Sequence, residues 1–192
     1  MEEYFHNKII ESQTLLENIS KDRELIHSLI KITQICCASI EKGGKIIFAG
    51  NGGSAADAQH FATELMIRFE KERKSIASIA LNSDSSLITA CANDFGYDEI
   101  FKRQLEGLAK KNDVFIAIST SGKSQNIVKA LEFSKKNKIL SVLFTGANQS
   151  NVEKYCDYVI KIPSKNTARI QEGHTLIGHI LCGIIEKNLQ IK

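Results

Sequence analysis

His60 and Glu64 stand four residues apart, so on a helix they lie about 40° apart on one face. A histidine and a carboxylate so placed can share a metal ion or act as an acid/base pair. The plain alternative is a surface pair, but Phe61, Ala62 and Leu65 beside them argue for a packed helix. Just ahead runs the turn Gly50-Asn51-Gly52-Gly53-Ser54, which follows the apolar run 45–49. Backbone N–H groups freed by such a turn at a helix start bind phosphate or sugar oxygens. A second polar loop, Ser119-Thr120-Ser121-Gly122-Lys123-Ser124, follows another apolar run. Each loop also has a bland reading, as a tight turn or as a serine-rich connection with Ser124 as an N-cap. Near the C-terminus stand Gln171, Glu172, His174 and His179. Gln171 and His179 are about 80° apart on a helical wheel and about 12 Å apart along the axis, so they share a centre only if it lies between them. For His179, beside Ile177 and Ile180, a core position is the ordinary alternative. Asn93-Asp94 reads as a loop between two helices, either a capping pair or a hydroxyl-binding pair; His6 and His27 read as ordinary histidines without a functional role. An anion cradle next to a histidine–carboxylate pair points to an enzyme acting on a phosphorylated small molecule.

These residues need rigid elements to hold them. The chain has 192 residues, 43% of them apolar, enough for one domain with a full core. Apolar runs at 45–50, 76–81, 113–119, 139–145 and 157–162 alternate with helical patterns. Short runs apolar on both faces predict a parallel sheet covered on both sides, hence a three-layer α/β fold. Ligands in such folds sit at the carboxyl ends of strands, where both polar loops fall. The first forty-odd residues read as two helices. Asp22 caps the second, Gly43-Gly44 ends it, and the pair offers more apolar surface than one sheet face needs. A long helix is expected from about Arg169 to Asn188, and Lys71-Glu72-Arg73-Lys74 reads as an exposed turn. Gly173 and Gly178 read as flexible points in that last helix.

Several classes are excluded or disfavoured. The first loop lacks the G-x-x-x-x-G-K-[ST] spacing of a P-loop and the last glycine of a dinucleotide fingerprint. The formal charge of +3 is spread along the chain, unlike the clustered basic face of a nucleic-acid binder. No apolar stretch approaches the ~20 residues of a membrane span. Five cysteines without a C-x-x-C read as reduced thiols in a cytoplasmic protein.

The segments GNGGSAADAQHFATEL, NDFGYDEIF, ISTSGKSQNI and RIQEGHTLIGHIL resemble the phosphoheptose isomerase family of sugar-isomerase (SIS) domain proteins, and the resemblance covers nearly the whole chain. It implies a flavodoxin-like α/β/α sandwich with a five-stranded parallel sheet. It implies that residues 1–192 form a single SIS domain, with 1–43 as a helical extension packed on the domain and on partner subunits. It further implies a homotetramer with active sites between subunits, acting on a heptose phosphate, with no nucleic acid or membrane partner. The implied activity is aldose–ketose isomerisation of sedoheptulose 7-phosphate for lipopolysaccharide or capsule heptose biosynthesis. Family roles put Asn51, Gly52, Gly53, Glu64, Asn93, Asp94, Ser119, Thr120, Ser121, Ser124 and Gln171 on the substrate, and Glu64 and His179 as the acid/base pair. In zinc-containing members the ligands match His60, Glu64, Gln171 and His179. Two other classes stay open: a non-catalytic tetramer that binds the bacterial replication initiator protein, and a sugar-phosphate sensor.

Overall fold

The computed structural model describes residues 1–189. Asp22 does what its position predicts, accepting a hydrogen bond from the Leu25 N–H at 2.9 Å. It thereby separates α1 (Glu2–Lys21) from α2 (Arg23–Glu41). The strands follow in order: β1 (Ile46–Gly50), β2 (Ser78–Ala80), β3 (Val114–Ile118), β4 (Leu140–Gly146) and β5 (Tyr158–Ile162). Between them lie α3 (Gly53–Met66), α4 (Ser85–Phe95), α5 (Ile100–Leu108) and α6 (Gln125–Lys136), and α7 (Thr167–Asn188) follows β5. All strands pair in parallel, in the order β2-β1-β3-β4-β5. The predicted second strand, 76–81, is shorter in fact. It meets β1 at only three pairs, starting at Ser78, because the Ile76 N–H just ahead of it bonds to the Leu65 carbonyl instead.

Alternation along the strands divides the core. Ile46 and Phe48 of β1, with Ile116, Ile118 and Phe144, face α1, α2, α3 and α7. Ile47 and Ala49, with Phe115, Ala117 and Leu143, face α5 and α6. Strand order reverses between β1 and β3, so the crevice at their carboxyl ends is the expected ligand position. The loops 51–53 and 119–124 sit there.

Three expectations are corrected. Asn93 and Asp94 lie in the last turn of α4, because the break comes only at Gly96, whose φ is 94°. Arg73 is not part of an exposed turn: its side chain is 3% exposed and pairs with Glu186. Gly173 and Gly178 are contact points rather than flexible ones. A Cβ on Gly178 would stand 2.0 Å from the Phe61 ring, and one on Gly173 2.7 Å from Ile162.

Candidate active site

Helices α3 and α7 run parallel, and matched residues meet along their length. Gln171 lies against Gly53. One turn on, the Thr175 hydroxyl donates to Asp57 Oδ1 at 2.9 Å. Next, Gly178 admits the Phe61 ring. The close approach carries His60 and His179 together, with Nε2 to Nε2 at 2.7 Å, one ring donating and the other accepting. Glu64 Oε1 is 3.4 Å from His60 Nε2. Ligand atoms of His60, Glu64 and His179 all lie within 4.8 Å of one another. Two imidazoles and a carboxylate are a nitrogen and oxygen donor set of the kind that holds zinc. Gln171 sits two turns of α7 before His179, at the glycine turn.

The first loop depends on Gly52, whose φ of 57° with ψ −121° is a backbone state open to glycine. Asn51 reaches across the crevice to the buried Asn126 of α6. Their amides exchange two hydrogen bonds of 2.9 Å. The Tyr97 hydroxyl donates to Asn51 Oδ1 at 3.1 Å. This pairing ties the glycine turn to the start of α6. In the second loop Ser119 is buried, and its Oγ accepts from the Gly122 N–H at 3.2 Å. Ser121 is exposed and Ser124 half-buried. Ser124 occupies the N-cap of α6, yet among the described residues its hydroxyl makes no capping bond. It is therefore free for a ligand. Lys123 points outward and makes no ion pair among the described residues. A cleft of about 450 Å³ lies beside this loop, lined by Lys123, Gln125, Gln149 and Tyr155. None of the His60, Glu64 and His179 group borders it.

Other sequence candidates stand apart. Asn93 and Asp94 bond to each other at 2.8 Å and are exposed. Glu172 pairs with Arg169 and accepts from Ser12 at 2.9 Å, joining α7 to α1. His174 is fully buried beside Phe144, and burial pulls it down to about 4, so it is neutral.

Sequence reasoning missed Asn126, Tyr97 and Asp57. Asp57 precedes His60 by three residues, so the D-x-x-H-x-x-x-E pattern of one helix face was available as a signal. Burial pushes the Asp57 carboxyl up, against the pull of Thr175, His60 and His179. Nothing in the local pattern announced Asn126 as the partner of Asn51.

The SIS domain family matches residues 9–146. A phosphoheptose isomerase 2 from Campylobacter jejuni is 48% identical over 97% of this chain and 92% of its own length. The phosphoheptose isomerase of Aneurinibacillus thermoaerophilus is 46% identical over 97% of this chain and 94% of its own. A solved phosphoheptose isomerase from Francisella tularensis superposes with a TM-score of 0.92 at 32% identity, covering 97% of this chain and 98% of that one. The family match over residues 9–146 and this likeness along nearly the whole length place the chain in the SIS domain family and, within it, among the phosphoheptose isomerases.

Proposed function

We propose that the protein converts sedoheptulose 7-phosphate to D-glycero-D-manno-heptose 7-phosphate in the cytoplasm, for lipopolysaccharide or capsule heptose. The observation that carries this reading is the convergence of His60, Glu64 and His179. A pure binding module has no use for a carboxylate and two imidazoles at one point. The reaction moves a proton between C1 and C2 through an enediol. Glu64, half-buried on α3, takes the carbon-bound proton. His179 serves the oxygens, exchanging a proton at Nε2. His60, within hydrogen-bond reach of that nitrogen, sets which tautomer His179 presents. His60, Glu64 and His179 would hold zinc, which when bound supplies Lewis-acid polarisation of the carbonyl; Gln171, the family's fourth ligand, lies two turns of α7 away against Gly53. A direct assay with sedoheptulose 7-phosphate tests the reading. Product formation supports it, and binding without turnover would favour a sensor.

The phosphate is assigned to Ser119, Thr120, Ser121 and Ser124, and the sugar hydroxyls to Asn51, Gly52, Gly53, Asn93 and Asp94. Ser121→Ala or Ser124→Ala is expected to weaken substrate binding by ~1.5–3 kcal/mol, one hydrogen bond to a charged group. Lys123→Ala should cost much less, since an exposed lysine stays solvated. Titration calorimetry on an inactive Glu64→Gln background isolates binding from chemistry. A larger loss from Lys123→Ala than from both serine changes would replace the hydroxyl cradle with a point-charge clamp.

The active site is proposed to lie between subunits of a homotetramer. The N-terminal helices supply surface for assembly, because Phe5, Ile9, Leu16, Ile26 and Ile30 are exposed. Light scattering is expected to return four chains. A monomer at micromolar concentration would remove the shared site.

A further inference from the structure

The side chains of Arg73 and Glu186 are almost wholly buried, 3% and 2% exposed, with Nε to Oε1 at 2.9 Å. Burying two charges is costly unless their remaining hydrogen-bonding capacity is met. Here the backbone around the candidate site meets most of it, while Arg73 Nε faces Glu186 as an ion pair without hydrogen-bond geometry. Arg73 donates to the carbonyls of Glu64 at 2.8 Å, Leu65 at 2.9 Å and Lys74 at 3.1 Å. The first two are carbonyls in the last turn of α3 that lack partners within the helix, where a cation is favoured. Glu186 accepts from the N–H groups of Phe69 at 3.3 Å and Glu70 at 2.7 Å. Burial pulls its carboxyl upward, but the N–H groups of Glu70, Lys71 and Phe69 and the Arg73 charge outweigh this and leave it lowered.

All of these contacts locate one ring. The Phe69 ring lies flat on the His179 imidazole, with centroids 5.5 Å apart and planes 17° apart. His179, Gly183 and Glu186 fall on one face of α7, at i, i+4 and i+7. His179 receives the ring and Glu186 ties down the backbone that carries it. Gly183 leaves the space between, and a Cβ there would stand 3.3 Å from the ring edge.

We propose that Arg73 and Glu186 form a positioning clamp that holds Phe69 against His179 and thereby fixes the orientation of the imidazole for proton transfer. Phe69 closes one face of the imidazole while His60 engages its Nε2. The clamp fastens the segment after α3 to α7, so the end of the helix bearing Glu64 and the helix bearing His179 are held by one pair of charges. Its catalytic consequence rests on the assignment of His179 given above; its geometry does not.

The test uses the full chain with ¹³C-labelled histidine, in wild type and in Phe69→Leu, Phe69→Tyr, Gly183→Ala and Glu186→Gln. Phe69→Leu removes the ring current, so the His179 ring resonance is expected to move; Phe69→Tyr should leave it nearly in place. Glu186→Gln and Gly183→Ala should shift it in the same direction as Phe69→Leu. In parallel, kcat should fall about tenfold or more in Phe69→Leu, the scale of a small misplacement of a reacting group, with KM within about twofold, and recover in Phe69→Tyr. A His179 resonance indifferent to Phe69→Leu, or to both Glu186→Gln and Gly183→Ala, overturns the clamp. Unchanged kcat in Phe69→Leu overturns it too when His179→Gln is inactive. An active His179→Gln variant would instead end the assignment of His179, while the resonance shifts still decide the geometry. Should Glu186→Gln fail to fold, Gly183→Ala reads the same link without removing a charge.

Discussion

Glu64→Gln is expected to abolish turnover of sedoheptulose 7-phosphate while leaving its binding largely intact. The amide matches the carboxylate in size but cannot accept a proton at neutral pH. Loss of a general base costs at least ~10²-fold. The structure sharpens the expectation. Glu64 is anchored on α3 through its own carbonyl, which accepts from Arg73 at 2.8 Å, so exchanging the side-chain head should not release the backbone. His179→Gln should behave alike, because it removes the only imidazole that pairs with His60 at 2.7 Å among the described residues. Turnover by discontinuous product assay and affinity by calorimetry separate the two effects. Near wild-type kcat in Glu64→Gln would remove it as the base. Lost binding with a folded protein would recast it as a substrate or metal contact only.

The second large effect is structural and comes from one missing methyl group. A glycine in the middle of a long helix normally gains about 1 kcal/mol when replaced by alanine. At Gly178 the sign should reverse. The added Cβ would stand 2.0 Å from the Phe61 ring. That ring is fully buried, 6.0 Å from Phe48 and 6.2 Å from His179, so it has no free volume to enter. Overpacking of this kind costs typically 1–3 kcal/mol and occasionally more. Gly178→Ala is therefore expected to lose about 2 kcal/mol or more in urea unfolding. It should also lose activity, since α3 and α7 can part only by separating His60 from His179. Gly107→Ala is the control: its Cβ meets nothing within 4 Å, and it should gain about 0.5–1 kcal/mol. If Gly178→Ala is as benign as the control, the parallel α3–α7 contact is not what brings the site together.

The layered fold was legible because its causes are local. Apolar runs with turns between them decide strand positions, and each strand found here lies within the expected run except β4, which ends one residue beyond it at Gly146. Asp22 announced a helix start, since its side chain accepts from a free N–H group of the first turn. The position of the two polar loops at strand ends was legible for the same reason: glycines and hydroxyls act over a few bonds. His60 and Glu64 share a face by helical period alone.

Other features depended on what meets across the fold. Asn93 and Asp94 were expected in a loop, but helix ends answer to a single backbone state, here at Gly96. Gly178 read as flexibility because a sequence does not say that Phe61 will arrive opposite it. Arg73 read as one of four exposed charges, and only Glu186, more than a hundred residues later, makes its burial possible. Thus the sequence by itself determined the elements, their order and the two loops, through periodicity and turn chemistry that act within one element. The tertiary structure decided which helix faces touch and so brought His60, Glu64 and His179 together. Side-chain complementarity between distant segments, the Phe61 ring entering the space over Gly178 and the Arg73 charge meeting Glu186, has no local pattern to announce it.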